Sequence, residues 1–276
     1  MANTRPTVFK EDSADDSNTP INNTPQVETY DFSVPYDVIP LPSEGKAYKN
    51  KKSTLKVHYL TASDENILTS PNLIESGKFL DILISRKVAD KDLPYRDLLL
   101  GDRNAIMIWL RATGYGEIYN AVVTDPDTGE DFDTEIDLTA MKSKHLTIDS
   151  DENGEFDFTL PRSGKPIKFR FLTVGDEDDM GRYIESSNKK GPSSYSNILT
   201  FRLGKHIAEI DGNRDRGFIS KFIENMLAYD SLSLRTYIDD NEPGLDMNIE
   251  IERPGGGVIK TTFPFNPSFF WPNLRQ

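Results

Sequence analysis

The most constraining feature of this chain is a change of hydrophobic period in its middle. Between residues 117 and 173, apolar side chains fall on positions of one parity: Phe132, Ile136 and Leu138, then Phe156, Phe158 and Leu160, then Ile167, Phe169 and Phe171. A period of two sets one face of a strand in a core and the other in water. Asp127-Thr128-Gly129, Asn153-Gly154 and Ser163-Gly164 punctuate the runs. Asn-Gly between alternating runs is a strong hairpin signal. The stretch reads as a small antiparallel β module. The flanking segments have helical spacing, so the module is inserted in a helical body and the fold class is α+β.

The rest of the chain divides around that insert. Residues 30–60 read as an N-terminal β segment. Val34, Tyr36, Val38 and Ile39 lead into Leu41-Pro42-Ser43-Glu44-Gly45, a turn by residue type. Leu55, Val57 and Tyr59 then alternate with Thr54, Lys56 and His58, which puts His58 on the polar face. Residues 61–116 read as helical. Ser70-Pro71 is a start signal, and Leu73, Ile74, Leu80, Leu83 and Ile84 supply an apolar stripe. Asp102 is placed to cap a second helix that buries Ala105, Ile106, Trp109, Leu110 and Thr113. Gly114 suits its left-handed stop, and Arg103 and Arg111 flank the stripe, solvated or paired, with Asp102 as a possible partner.

Residues 174–245 return to helix. Phe218, Ile219, Phe222, Ile223, Met226 and Leu227 recur in pairs four apart, and Asp230 or Ser231 can cap a short helix after them. Ser186 to Ser196 reads as a polar loop, and His206 as a structural histidine on a helix edge. Residues 246–276 form a second small antiparallel β unit. Met247, Ile249 and Ile251 alternate, Arg253-Pro254-Gly255-Gly256-Gly257 turns the chain, and Val258 to Phe265 returns. The closing Phe269-Phe270-Trp271-Pro272 is too short to form its own core, so it docks on the body or on another chain. These four residues are the interface candidates, because buried aromatics contribute large contact energies.

Composition narrows the functions. The chain has 32 Lys and Arg against 45 Asp and Glu, a formal charge of −13, which disfavours a nucleic-acid partner. It has no Cys, hence no disulfide framework, thiol nucleophile or Cys-ligated zinc. No apolar run has a membrane-spanning length, and the polar N-terminus lacks a signal-peptide h-region, in keeping with synthesis in a cytoplasm and no membrane partner. Residues 1–29, rich in Asp, Asn, Ser, Thr and Pro, form an acidic arm with too little apolar surface to offset its ordering entropy. Such an arm is disordered or orders on a partner.

The candidate chemical motifs have plainer readings beside them. Asp149, Asp151 and Asn153, with Gly154, match the first half of a calcium loop, but Leu160 stands where the bidentate Glu belongs, so a β turn competes with a weak calcium site. Asp125-Pro126-Asp127-Thr128-Gly129 is turn chemistry. Asp176-Glu177-Asp178-Asp179 suits the start of a helix, and Gly255-Gly256-Gly257 a hairpin turn rather than a phosphate cradle. No nucleophile elbow occurs. No catalytic residue, resident metal or cofactor is expected, and the chain does not read as an enzyme.

Four stretches in order carry a resemblance. They are Leu41-Pro42-Ser43-Glu44-Gly45; the run from Thr61 through Asn66 to Pro71; Gly101-Asp102-Arg103-Asn104-Ala105 with Arg111-Ala112-Thr113-Gly114-Tyr115-Gly116; and Phe269-Phe270-Trp271-Pro272. Together, over residues 36–275, they resemble the baseplate hub subunit or hub assembly protein family of T-even-type contractile-tailed phages. The resemblance implies a structural protein of the virion baseplate, assembled in the host cytoplasm with other hub or tail proteins. A tail assembly chaperone absent from the virion is the nearest alternative, and a calcium-binding β module of an adhesion protein a more distant one. Leu41 to Gly45 and Asp102 to Gly116 are expected to be scaffold. In relatives, the resemblance implies a Cys-x-x-Cys-Gly pair at each β unit, like halves of a zinc ribbon. Here the corresponding turns are Asp125–Gly129 and Arg253–Gly257, so hairpin bonds and packing would replace a metal clip and the two β units would lie side by side.

Overall fold

The computed structural model describes residues 33–188, 197–253, 255–263 and 267–270. The acidic arm at 1–29, most of the polar loop at 186–196, Trp271 and Pro272 lie outside the described residues. From Val34 onward the chain is one unit of α+β architecture.

Strands β1 (Tyr36–Pro40) and β2 (Thr54–His58) form an antiparallel pair, with Ile39 opposite Leu55. Leu55 and Val57 are buried, as their alternation requires. Helices α1 (Ala62–Leu68), α2 (Pro71–Glu75), α3 (Phe79–Lys87) and α4 (Leu100–Tyr115) follow. Ser70 and Pro71 do open α2. Hairpin β3 (Ile118–Thr124) and β4 (Asp131–Asp137) turns at Asp125–Gly129. After the short β5 (Ser143–Lys144), strands β6 (Phe156–Thr159) and β7 (Pro166–Phe169) pair with Phe156 opposite Phe169. Next come α5 (Val174–Asn188), α6 (Ile198–His206), β8 (Ile207–Ile210), α7 (Arg216–Glu224) and α8 (Ala228–Asn241). The chain closes with β9 (Gly244–Leu245) and the hairpin of β10 (Asn248–Glu252) and β11 (Val258–Thr262), then a 3-10 turn at Pro267–Phe270.

The region 117–173 is not one module. Hairpin β3–β4 stands alone, while β6 and β7 take β8 as a third strand and β5 pairs with β9. Strand β8 lies inside the segment expected to be helical. It follows α6 with no turn residue between, so its apolar run reads as more helix; the Asp211-Gly212 turn after it, both residues at positive φ, was the available signal. The Asn153-Gly154 turn precedes β6 rather than joining two strands, and Ser163-Gly164 makes the β6–β7 turn. Phe156, Phe169 and Phe171 meet with ring centroids 4.9–5.8 Å apart and bury the inner face of that sheet. The apolar cluster continues without a break from Ile39 to Phe270.

Candidate functional site

The stretches that stand out in sequence are joined in space. Asp102 is fully buried. Its carboxylate accepts from the Ser43 amide at 3.0 Å, the Ser43 hydroxyl at 2.6 Å and the Tyr48 hydroxyl at 2.6 Å. The same Tyr48 oxygen accepts from the Leu99 amide at 2.9 Å, ahead of α4. Burial pushes the Asp102 carboxyl up, and the Ser43 and Tyr48 bonds offset only part of that. Asp102 is therefore not the cap of α4 but a clasp between its first turn and the Leu41–Gly45 turn. Leu41, Pro42, Ser43 and Gly45 are all buried there. Gly45 has φ +75°, and a Cβ on it would sit 2.5 Å from the Lys51 carbonyl oxygen.

Neither flanking arginine pairs with Asp102. Arg103 reaches Glu177 at the start of α5. Arg111, expected at the rim, is buried. Its Nε donates to the Phe269 carbonyl and its Nη1 to the Gly116 carbonyl, both at 2.8 Å, with the Tyr115 and Tyr119 rings 5.7 and 5.8 Å away. Burial lowers its pKa, and the nearby Tyr119 and Tyr115 offset only part of that; two carbonyls and two ring faces stand where a carboxylate partner would. The left-handed stop of α4 is Gly116, at φ +96°, not Gly114. Gly114 lies inside the helix, and the Leu60 side chain lies against it, where a Cβ would come within 2.7 Å. Thr113 is exposed, not core, and its hydroxyl returns to the Trp109 carbonyl at 2.8 Å.

The two β units lie side by side. Arg253, at the end of β10, places Nε 3.4 Å from Asp125 and also binds Asp127, so the two turns touch. Behind them, Phe269 stacks edge-on against Tyr119 at 5.2 Å, Phe263 at 5.5 Å and Phe270 at 5.0 Å. Phe269 is 1% and Phe270 2% exposed. These two interface candidates are thus committed to the chain's own core, since no other apolar surface is needed to cover them. Trp271 and Pro272 lie outside the described residues.

The remaining candidates are structural in place. Asp151 takes the Asn153 and Glu155 amides on one oxygen and Lys168 on the other, which makes the 149–154 segment a closed turn. Among the described residues, no group of three His, Asp or Glu side chains is gathered to hold a metal. Asp176 does sit in the first turn of α5, where its amide and carboxylate exchange hydrogen bonds with Thr173 and Arg170 binds it at 2.7 and 2.9 Å. His206 is buried, and its Nδ1 lies 3.0 Å from the Arg170 carbonyl. His58 is half-buried rather than solvated, with Nδ1 2.9 Å from the Val34 carbonyl. Asp230 does not cap α8, whose first residue is Ala228; it accepts the Arg162 and Ser163 amides at 2.7 and 3.0 Å, securing the β6–β7 turn.

Among the described residues, a cleft of about 850 Å³ lies between the two β units. Consecutive residues Thr134–Asp137 of β4 and Asn248–Glu252 of β10 line it, with Met141 and Lys142 at one end. Along β4, Ile136 is buried while Glu135 and Asp137 face outward; along β10, Ile249 and Ile251 turn inward while Glu250 and Glu252 are exposed. Sequence reasoning marked both strands but not the cleft, because pairing two hairpins far apart in the chain leaves no periodic signal. No family model matches this chain, and no curated protein or solved structure gives a significant match to it. Among the described residues, no helix is long and apolar enough to cross a membrane.

Proposed function

We propose that this chain is a structural or assembly component of the baseplate hub of a contractile-tailed bacteriophage, acting through protein–protein contact and without catalysis. The observation that carries the reading is the contact of Arg253 with Asp125 and Asp127. The resemblance implies that these two turns occupy the places of paired zinc-ribbon halves, and such halves have to be neighbours. Further support comes from the contacts among the four resembling stretches. Ser43 bonds Asp102, Leu60 beside the second stretch packs on Gly114, and Arg111 holds the backbone of Phe269. An ordered set of short matches gains weight when its members are contact partners.

On this reading the partners are other hub or tail proteins, and the protein works at the virion baseplate after assembly in the host cytoplasm. The test is deletion of the gene from the encoding phage. Tails should fail to complete a baseplate and should recover when the gene is supplied in trans; normal infectious particles from the deletion would overturn the proposal. Mass spectrometry of purified wild-type particles then separates a retained hub subunit from an assembly chaperone that leaves.

A further inference from the structure

We propose that the cleft between β4 and β10 receives an extended, basic segment of a partner protein as an added strand. This inference rests on the geometry of the two hairpins and stands whether or not the chain is a hub subunit. The slot is closed at both ends and open between. At one end the Asp246 amide donates to the Lys142 carbonyl at 2.8 Å and β5 pairs with β9. At the other end Arg253 holds the Asp125–Gly129 turn.

The walls of the slot are the outer edges of two strands. Strand β3 contributes no lining residue and β11 only Lys260, so the cleft runs along the sides of β4 and β10 away from their hairpin partners. Each strand belongs to a two-stranded sheet, and among the described residues no third strand covers either edge. An open edge presents backbone donors and acceptors that an extended chain can satisfy. The five residues of β10 extend about 17 Å at roughly 3.3 Å per residue, the length of a five- or six-residue insert.

Both walls carry the same alternation, which sets the chemistry of the occupant. Ile136, Ile249 and Ile251 turn toward the core side, while Glu135, Asp137, Glu250 and Glu252 face outward. A strand lying between them would place every second side chain among isoleucines and the others among carboxylates. Alternating apolar and Lys or Arg residues match both faces. Lys260 pairs with Glu250 at 2.9 Å and Lys142 lines one end, against the carboxylates of Glu135, Asp137, Asp246, Glu250 and Glu252, so the balance of the rim is acidic. The same carboxylates oppose edge-to-edge pairing of two copies, because like charges across a pair are destabilising.

The experiment uses the full chain and a fluorescein-labelled peptide of alternating Lys and Val, six residues long, followed by anisotropy at low salt. The peptide should bind, and the Glu250→Lys/Glu252→Lys double variant, still folded by thermal melting, should weaken it by about tenfold or more. N-methylation of alternate peptide amides, which removes strand donors but keeps charge, should weaken binding to a similar degree. The proposal is overturned by any of four results: no binding to the unaltered chain, equal binding of a Glu-Val peptide, insensitivity to N-methylation, or a dimer of the chain itself that the double variant dissolves.

Discussion

Ser43 and Asp102, separated by 59 positions, share two hydrogen bonds inside the core, and Tyr48 adds a third to the same carboxylate. A buried carboxylate without a cation is tolerable only while each oxygen is satisfied. Asp102→Ala leaves three donors facing a cavity and should cost about 3 kcal/mol or more. Tyr48→Phe removes one donor to Asp102 and strands the Leu99 amide, for about 1–3 kcal/mol. Urea denaturation midpoints measure both, and unchanged midpoints would show that the clasp contributes nothing.

Gly101 in the first turn of α4 tests a different constraint. A Cβ there would lie 1.9 Å from the Pro243 carbonyl oxygen and 2.8 Å from the Gly244 Cα. Both obstacles are backbone, so the α4–β9 contact has to open. Gly101→Ala should destabilise by about 3 kcal/mol, at or beyond the usual overpacking range. Gly181→Ala on α5 meets nothing within 4 Å and should instead gain about 0.5–1 kcal/mol from helix propensity. Opposite shifts of the melting temperature in the two variants are the expected result.

Where local periodicity and turn chemistry suffice, the sequence is readable. Leu55 and Val57 alternate into the core, Pro71 opens α2, and the Asp125–Gly129 turn joins β3 to β4. Reading fails where a residue serves a distant element. Asp102 and Asp230 have the type and position of helix caps, yet both turn away to satisfy amides in loops 59 and 67–68 positions earlier. Arg111 lies at the edge of an apolar stripe, which says nothing of the carbonyl of Phe269 that buries it. The cleft was illegible for the same reason: its walls come from strands more than a hundred positions apart in the numbering.

Lys87 and Asp64 form a buried ion pair that no local pattern announces. Asp64 also accepts from the Thr61 amide and hydroxyl at 2.8 Å, and Lys87 donates to the Tyr59 carbonyl at 3.0 Å. Burial raises the Asp64 pKa, but Lys87 and Thr61 outweigh it and hold the carboxyl below its ordinary value. Lys87→Met leaves the buried carboxylate with only the half-exposed Arg86, whose Nε lies 3.4 Å from its other oxygen, and should cost about 3 kcal/mol; Asp64→Asn, which leaves Lys87 buried without a counter-charge, should cost about 3–5 kcal/mol. The double variant should recover part of that loss, because neither charge is then left alone. Additive losses in chemical denaturation would contradict the pairing. Because the folded pKa is depressed, the pair's contribution is present above the ordinary carboxylate range and disappears as pH falls through the folded value.

His206 sets a higher pH window. Burial is the main cause that lowers its pKa to about 4, against the upward pull of its bond to the Arg170 carbonyl. Above about pH 6.5 the imidazole is neutral in folded and unfolded chains alike, and stability is complete. Between there and pH 4 the unfolded chain takes up a proton that the folded chain refuses, so stability falls as pH falls. The total loss should be about 3 kcal/mol, from roughly 1.4 kcal/mol per pH unit. His206→Gln keeps an N–H donor for the Arg170 carbonyl and cannot titrate. Its stability should sit below that of the unaltered protein at pH 8, yet change far less between pH 6.5 and pH 4. Urea midpoints at pH 8, 6.5, 5 and 4 measure the difference. Parallel pH profiles of the two proteins would place the acid sensitivity outside His206.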